Sequence, residues 1–236
     1  IMGILQNEKY TGDALLQKTF TADFLTKKVI KNEGQIEQYW VKDNHVPMID
    51  KALWNASQLE IQRRHEYMER YNLRSMGRFT DGQPFSNRVI CGICGNVYWR
   101  RTWTRLSRKV KVWQCGTRYR EKGVQGCGSD NLFERDLFKG FVYAWNEVVE
   151  SRADRIPRWE QMIAEGDPLQ QHRARQMIAL TAEGTITEID LALVGKVLDH
   201  CVAHPSSILQ FYFLDGTKVG ICLYVTSVGI ATHTRT

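Results

Sequence analysis

The sequence predicts an α+β chain in which a small mixed module is followed by a cysteine-pinned β-hairpin, packed helices and a C-terminal β-hairpin. Three observations carry that prediction. Four of the six cysteines fall between Cys91 and Cys127, around a β-branched and aromatic run. Leu137, Phe138, Phe141, Val142, Trp145, Val148 and Val149 recur at three and four spacing, the stripe of a helix with one buried face. Asp215-Gly216 joins two apolar-rich runs as a two-residue hairpin turn does. With 236 residues, 43% of them hydrophobic, the chain has room for one large domain or two modest ones.

Taken in order, Ile1, Ile4 and Leu5 have the spacing of the last turns of a helix, and a chain that opens on Ile1 rather than methionine is expected to be part of a longer polypeptide. Residues 14–19, 27–30 and 36–41 are short strand candidates, with turn formers at Thr11-Gly12-Asp13 and Asn32-Glu33-Gly34. Asp50 caps a helix that carries Leu53, Trp54, Leu59 and Ile61 on to about residue 71. His45 is expected to hydrogen-bond near that helix start rather than to hold a metal, because no second ligand lies nearby in sequence. Residues 63–78 lose the apolar periodicity while carrying five arginines, so the helix is expected to fray into a basic linker closed by Asp81-Gly82-Gln83-Pro84. The resulting modules are 1–76 and 87–236, joined by a linker at 77–86.

Cys91-Gly92-Ile93-Cys94 brings two sulfurs within reach of one ion. Cys115 and Cys127, on the far arm of the hairpin, complete a four-thiolate set with the tetrahedral preference of zinc. Gly92 and Gly95 flank the first knuckle as a tight turn requires. A four-sulfur site keeps no open position, so the expected ion is one structural Zn2+. The arms of the hairpin are 97–104 and 110–114, within a zinc-bound stretch of 87–128.

Between Trp99 and Lys122 nine Lys or Arg face a single acid, Glu121, a net of +8 that exceeds the +6 of the whole chain. A field that localised favours a polyanion, and a two-stranded ribbon fits the major groove of duplex DNA. Arg100, Arg101, Arg105, Arg108, Lys109, Lys111, Arg118 and Arg120 are therefore the candidate DNA contacts. Trp99, Trp103 and Trp113 have faces that stack on bases, but covering the metal site or packing on a helix is the commoner role and the expected one.

Beyond Cys127, Ser129 and Asp130 offer caps for a core helix ending around Arg152, before Pro157. Asp167-Pro168 opens a second helix that Gly184 closes, and Thr187-x-x-Asp190 resembles a capping box for a third carrying Ile189, Leu191, Val194, Val197 and Leu198. Helices thus occupy about 130–203 and the closing hairpin about 207–225, with Cys201 and Cys222 as ordinary buried thiols. No apolar run is long enough to cross a membrane and no leader is visible, so a cytoplasmic location without membrane contact is expected.

The ordered residues Ile4-Leu5, Asn7-Glu8, Tyr10, Gly12-Asp13, Gln17-Lys18, Tyr39, Val41, His45, Met48-Ile49, Trp54, Gln58, Glu60 and Arg63-Arg64 resemble the end of the recombinase domain of large serine recombinases, the phage integrases and mobile-element transposases. The block Cys91-x-x-Cys94, Cys115, Cys127-Gly128 resembles their zinc ribbon domain, and Phe211-x-Phe213-x-Asp215-Gly216 its closing hairpin. The resemblance implies binding of double-stranded attachment-site or transposon-end DNA, with other recombinase subunits as partners of the full-length protein. It places DNA cleavage by a serine nucleophile in an N-terminal resolvase-like domain that these residues do not include, so no catalytic residue is expected here. The family's long coiled coil is not matched. Pro157, Gly166, Pro168 and Gly184 interrupt the stretch from Arg152 to Thr187, and a short helical hairpin is expected instead. Two rival readings stand: a zinc-ribbon nucleic-acid module of transcription or RNA metabolism, and a zinc-stabilised scaffold for protein assembly. A catalytic metalloenzyme is disfavoured, since no histidine or carboxylate joins the four cysteines.

Overall fold

The computed structural model describes residues 2–74, 83–105, 108–118, 124 and 126–223. The described residues form two compact units, one of residues up to Gln62 together with Asp167–Leu169, the other of the remainder from Arg63 onward.

In the first unit, α1 (Met2–Leu5) leads through a 3-10 turn at Glu8–Thr11 to four short strands, β1 (Ala14–Leu16), β2 (Thr19–Asp23), β3 (Lys28–Lys31) and β4 (Tyr39–Val41). β1 pairs with β4 and β2 with β3, both antiparallel. The single strand expected over 14–19 is two, because Gln17 takes a left-handed φ of 58° that ends β1 before β2 begins. Buried Asn32 explains the tight turn that follows β3. Its amide donates to the Gln17 carbonyl at 2.8 Å and the Ile36 carbonyl at 2.6 Å, while its Oδ1 accepts from the Gly34 and Ile36 N–H groups at 3.1 and 3.2 Å. His45 Nε2 donates to the Lys9 carbonyl at 2.6 Å, so its structural role is to hold the 3-10 turn rather than the next helix start. That helix, α2 (Lys51–Arg70), is capped as expected, with Asp50 Oδ1 accepting from Ala52 N at 3.0 Å.

The last turns of α2, from Arg63, belong to the second unit and do not fray. Arg63 is paired with Asp199, and buried Tyr67 donates its hydroxyl to the Asn87 carbonyl at 2.9 Å. The remaining elements are β5 (Val89–Cys91), β6 (Tyr98–Arg105), β7 (Arg108–Cys115), β8 (Leu132–Phe133), α3 (Glu134–Glu150), α4 (Arg152–Glu165), α5 (Pro168–Ala182), α6 (Leu191–Val197), β9 (Leu198–His204), β10 (Ile208–Phe213) and β11 (Lys218–Cys222). They build one sheet of order β11-β10-β9-β5, in which only β5 and β9 run parallel, and a second of order β6-β7-β8. The stripe of α3 buries Leu137, Phe141, Ala144, Trp145 and Val148. It packs on the inner face of β10, where Phe141 meets Phe211 and Phe213 at ring distances of 6.1 and 6.3 Å. Gly140 allows the approach, for a Cβ there would stand 3.0 Å from Leu209 Cδ1.

Three expectations are corrected here. Ser129 and Asp130 do not cap α3, which starts directly after β8 with Glu134 and Asp136 in its first turn, where carboxylates suit the helix dipole. The core helix α3 ends as expected, at Glu150, and a separate helix, α4, then runs through Pro157, held by buried Trp159, which donates its indole N–H to Asp215 Oδ2 at 2.7 Å. The cap of α6 is Asp190, whose Oδ1 accepts from Ala192 and Leu193 N–H at 2.8 and 3.1 Å, and not Thr187. Residues 198–203, read as helix, are strand β9, the centre of the larger sheet.

The closing turn also differs from a two-residue loop. Gly216 N donates to the Phe213 carbonyl at 2.9 Å and Phe213 N to the Thr217 carbonyl at 2.9 Å, with Gly216 at φ 84°. That is a three-residue turn ending in a left-handed glycine. Tyr224 and Val225 of the expected strand lie outside the described residues. Asp215→Ala removes the acceptor of a buried indole N–H and is expected to cost about 1–3 kcal/mol in urea unfolding. An unchanged unfolding midpoint would show that the Trp159 bond does not hold α4 to the turn. Of the two remaining thiols, Cys201 is buried, which pushes its pKa up, and Cys222 is half-buried.

Candidate metal centre and basic ribbon

Each cysteine of the tetrad is delivered by a strand end or a constrained turn. Cys91 ends β5, its N–H donating to the Asn96 carbonyl at 2.8 Å, and its carbonyl accepts from Gly95 N at 2.9 Å. Gly95 holds φ 72°, the conformation that folds Cys94 back over Cys91. Cys115 ends β7, and the following Gly116 N–H donates to the Val97 carbonyl at 3.0 Å. Cys127 is brought in by its N–H on the Thr117 carbonyl at 3.4 Å. Gly126 permits that return, since a Cβ there would lie 2.1 Å from the Thr117 oxygen.

The four sulfurs all lie within 4.8 Å of one another. Cys91 and Cys127 are separated by 3.6 Å and Cys94 and Cys115 by 3.4 Å. A tetrahedron with zinc–sulfur bonds of 2.3 Å has sulfur–sulfur edges of about 3.8 Å, so the set fits zinc. Neighbouring hydroxyls agree with that chemistry. Thr117 Oγ1 stands 3.2 Å from the sulfurs of both Cys94 and Cys115. The Ser129 hydroxyl, buried beside Cys91, has no hydrogen bond of normal geometry, and a thiolate there gives it an acceptor. Burial pushes the Cys91 thiol up, and pushes Cys115 up to about 12. Burial also opposes ionisation of Cys94, but hydrogen bonds from Thr117 and the Asn96 N–H and the adjacent thiols outweigh it and bring that thiol down to about 6. The chain therefore holds one sulfur ready to ionise and two that yield their protons to a cation.

From this centre β6 and β7 run as an in-register ribbon from Tyr98↔Cys115 to Arg105↔Arg108. Directly opposed residues share a face, so Trp99, Arg101 and Trp103 lie on one side together with Val110 and Arg108. Trp99 is 49% exposed and Trp103 40%, whereas Trp113, on the opposite face, is buried against Phe85. The expectation that all three aromatics pack thus holds for Trp113 alone. Arg101 stacks over the Trp99 ring at 5.3 Å. Arg108 and Lys109 are exposed, and Lys111 donates to Thr102 Oγ1 at 2.6 Å. Arg100 is different. Its guanidinium grips the Glu134 carboxylate through Nε and, at 2.7 Å, through Nη2, so it secures the ribbon to α3. Arg118 likewise donates to the Ser129 carbonyl. The Arg105 side chain and Arg120 lie outside the described residues. Beside the ribbon base, a cleft of 330 Å³ is lined by Arg74, Asn87, Asn96, Trp99 and Thr117, among others.

Family models match the two parts of the chain separately. Residues 1–64 match the model described as Recombinase, and residues 84–143, which contain all four cysteines and the ribbon, match the recombinase zinc beta ribbon domain. The chain belongs to the recombinase family. No curated protein matches this recombinase chain. Among solved structures it is similar to one described as a crystal structure of an LSR–DNA complex, at 12% identity and a TM-score of 0.42, over 89% of this chain and 73% of that one. It is also similar to a structure concerned with the sequence requirements of the Listeria innocua prophage attP site, at 14% identity and a TM-score of 0.36, over 89% of this chain and 65% of that one.

Several residues of the site were not visible in the recombinase sequence. Glu134, the partner of Arg100, lies 34 positions away, and no local pattern links them. Thr117 and Ser129 belong to irregular backbone, where only proximity in space gives a hydroxyl meaning. Among the described residues, no helix is long and apolar enough to cross a membrane.

Proposed function

We propose that this recombinase chain is the DNA-binding part of a large serine recombinase, with modules of 1–76 and 87–236 joined by the stretch 77–86. Cys91, Cys94, Cys115 and Cys127 hold one structural zinc, whose chemistry is to fix geometry. The zinc-pinned ribbon carries the contacts, from Arg101, Arg108, Lys109 and Lys111 with Arg105 at its end, to phosphates and base edges of duplex DNA at an attachment site or transposon end. Strand cleavage and rejoining fall to a catalytic serine domain outside these residues, and the protein acts in the cytoplasm with other recombinase subunits.

One observation supports this reading above the others. The exposed face of the ribbon interleaves Trp99 and Trp103 with Arg101 and Arg108, directly above a centre whose four sulfurs fit a structural ion. A protein-assembly scaffold would use the positive field to steer an acidic partner and predicts little salt-dependent affinity for nucleic acid, and a metalloenzyme has no open ligand position. Arg101→Glu combined with Arg108→Glu is expected to lower duplex affinity by at least about tenfold and to flatten the salt dependence by about two units of log–log slope, with zinc content unchanged. Equal affinity at moderate salt would remove this face from the interface. Preference for single-stranded RNA in direct competition would favour an RNA module instead.

A further inference from the structure

The β2–β3 hairpin of the first unit ends in a built tip that holds its apolar residues in solvent. Pairing runs from Thr19↔Lys31 to Asp23↔Lys28, with an irregularity between Thr21 and Asp23 that increases the local twist. Across the tip, Asp23 Oδ1 accepts from Leu25 N at 2.9 Å, and Oδ2 accepts from Thr26 Oγ1 at 2.6 Å. These two bonds hold the Asp23 carboxyl below its ordinary range. Lys27 closes the turn at φ 52°. The backbone is thus fixed by its own side chains, yet Phe24 is 90% and Leu25 94% exposed. Large apolar side chains presented so completely add nothing to the core.

The charges around them indicate what they meet. Lys27 and Lys28 follow directly in sequence and are exposed, with no acidic partner within salt-bridge distance among the described residues. Lys18 and Lys31, farther down the ribbon, lie 2.6 Å from Glu8 and 3.9 Å from Glu33. A pair of apolar groups flanked by lysines is complementary to a surface that is apolar at its centre and anionic at its margins. The minor groove of duplex DNA is such a surface, with a stack of bases between two phosphate chains. Its width of about 6 Å admits a ring carried on a narrow tip. Two side chains bury too little hydrocarbon for a stable membrane anchor, which needs a second signal.

We propose that the tip of the β2–β3 hairpin is a DNA wedge: Phe24 and Leu25 enter the minor groove and partly unstack one base step, while Lys27 and Lys28 hold the flanking phosphates. The inference rests on the DNA-binding reading above but concerns a surface remote in sequence from the cysteines and the basic ribbon. It divides the work of recognition by chemistry. The β6–β7 ribbon contributes charge and hydrogen bonding, whereas this tip contributes unstacking and bending, which are sensitive to sequence through the flexibility of the step.

The experiment uses the whole chain with zinc bound and a duplex selected by it from a random-sequence pool, with 2-aminopurine placed at each adenine in turn. Wild type is expected to brighten 2-aminopurine at one fixed step. Phe24→Ala with Leu25→Ala is expected to abolish that signal and weaken binding about tenfold, with the salt slope unchanged because no ion is displaced by these side chains. Lys27→Gln with Lys28→Gln is expected to keep the signal and reduce the slope by about two. All four side chains are at the exposed tip, and equal melting temperatures will show that the variants fold. Unchanged brightening and affinity in the Phe24/Leu25 double variant overturn the wedge while leaving DNA binding intact. Failure of the pool to yield any bound duplex overturns the DNA-binding reading and the wedge with it. Loss of binding to phosphatidylserine vesicles in the double variant, with duplex binding and brightening unchanged, overturns it in favour of a lipid surface.

Discussion

Cys115→Ser is expected to empty the metal centre and to abolish cooperative folding of the ribbon. The sulfur of Cys115 lies 3.4 Å from that of Cys94 and 3.2 Å from the Thr117 hydroxyl, at the end of β7, where it joins ribbon and centre. Serine nearly preserves the volume, so lost packing does not explain a large effect. Structural zinc contributes on the order of 10–16 kcal/mol in small finger peptides, which rivals the whole stability of about 5–15 kcal/mol of an ordinary domain. Elemental analysis should find one zinc per wild-type chain and none in the variant, and chelation of the wild type should reproduce the variant's loss of structure. An unchanged metal content would take Cys115 out of the site. The same centre sets a pH dependence. The thiols of Cys91 and Cys115 are raised by burial, Cys115 to about 12, so both carry protons at neutral pH when no metal is bound. Zinc has to displace at least these two protons, and its apparent affinity is expected to fall by at least about a hundredfold for each unit of acidification near neutrality. A competition titration with a chelating dye at several pH values reads that slope.

Asp199→Ala is expected to be the most damaging substitution away from the metal. Asp199 sits at the start of β9 and is paired with Arg63 on the last turns of α2, while the His200 ring donates Nδ1–H to its other oxygen at 2.7 Å. Around this carboxylate, Tyr67 and Tyr71 flank the His200 ring, which stacks on Tyr212 at 4.3 Å. Arg88, itself buried, donates to the Leu198 carbonyl at 2.8 Å. Removing the carboxylate leaves this positive cluster without its central acid, and the expected cost is about 3–5 kcal/mol in urea unfolding at neutral pH. Asp199→Asn tests whether charge or shape matters, because it retains a hydrogen-bond acceptor. Burial alone would raise the Asp199 pKa, but the His200 hydrogen bond, Arg63 and Arg88 outweigh it and hold the carboxyl below its ordinary range. A depressed carboxyl contributes stability that is fully present above its unfolded pKa of about 3.9 and is lost as pH falls through the lower folded value. Wild type and Asp199→Ala should therefore differ fully near neutrality and converge only well into acid. A difference under about 0.5 kcal/mol at pH 7 would show that the pair is dispensable.

These two sites differ in how far the amino-acid sequence discloses them. The tetrad was legible because Cys91-x-x-Cys94 is a local spacing and the ribbon between its halves alternates in a way that strands require. The stripe of α3 was legible for the same reason, its period being contained within one element. The Asp199 cluster was not, because its members come from α2 and the residue after it, the residue before β5, β9 and β10, and no local pattern links them. Strand β9 was hidden by its own start: Val194, Val197 and Leu198 continue a helical spacing, and the backbone turns extended only at Leu198, with ψ 125°. The continuation of α4 through Pro157 depended on a buried Trp159 whose acceptor lies 56 positions later. Exposure is the least legible quantity of all. Trp99 and Trp113 both sit in strand-forming runs, and opposite faces of one ribbon separate the exposed ring from the buried one.

The parallel pairing of β5 with β9 constrains when the protein acquires its structure. Val89, Ile90 and Cys91 find their partners at Cys201, Val202 and Ala203, with the ribbon and four helices lying between. On the ribosome, Cys127 emerges soon after Cys91, so the metal centre can close while most of the chain is still being made. Strand β5, however, has no sheet to join until β9 has been synthesised, several seconds later at about 5–20 residues per second. During that interval a metal-bound knuckle sits on an unpaired apolar strand, an edge that other chains can extend. The late arrival of β9 makes synthesis of the stretch up to His204 the step that decides whether a nascent molecule folds or aggregates, even when its zinc is already in place.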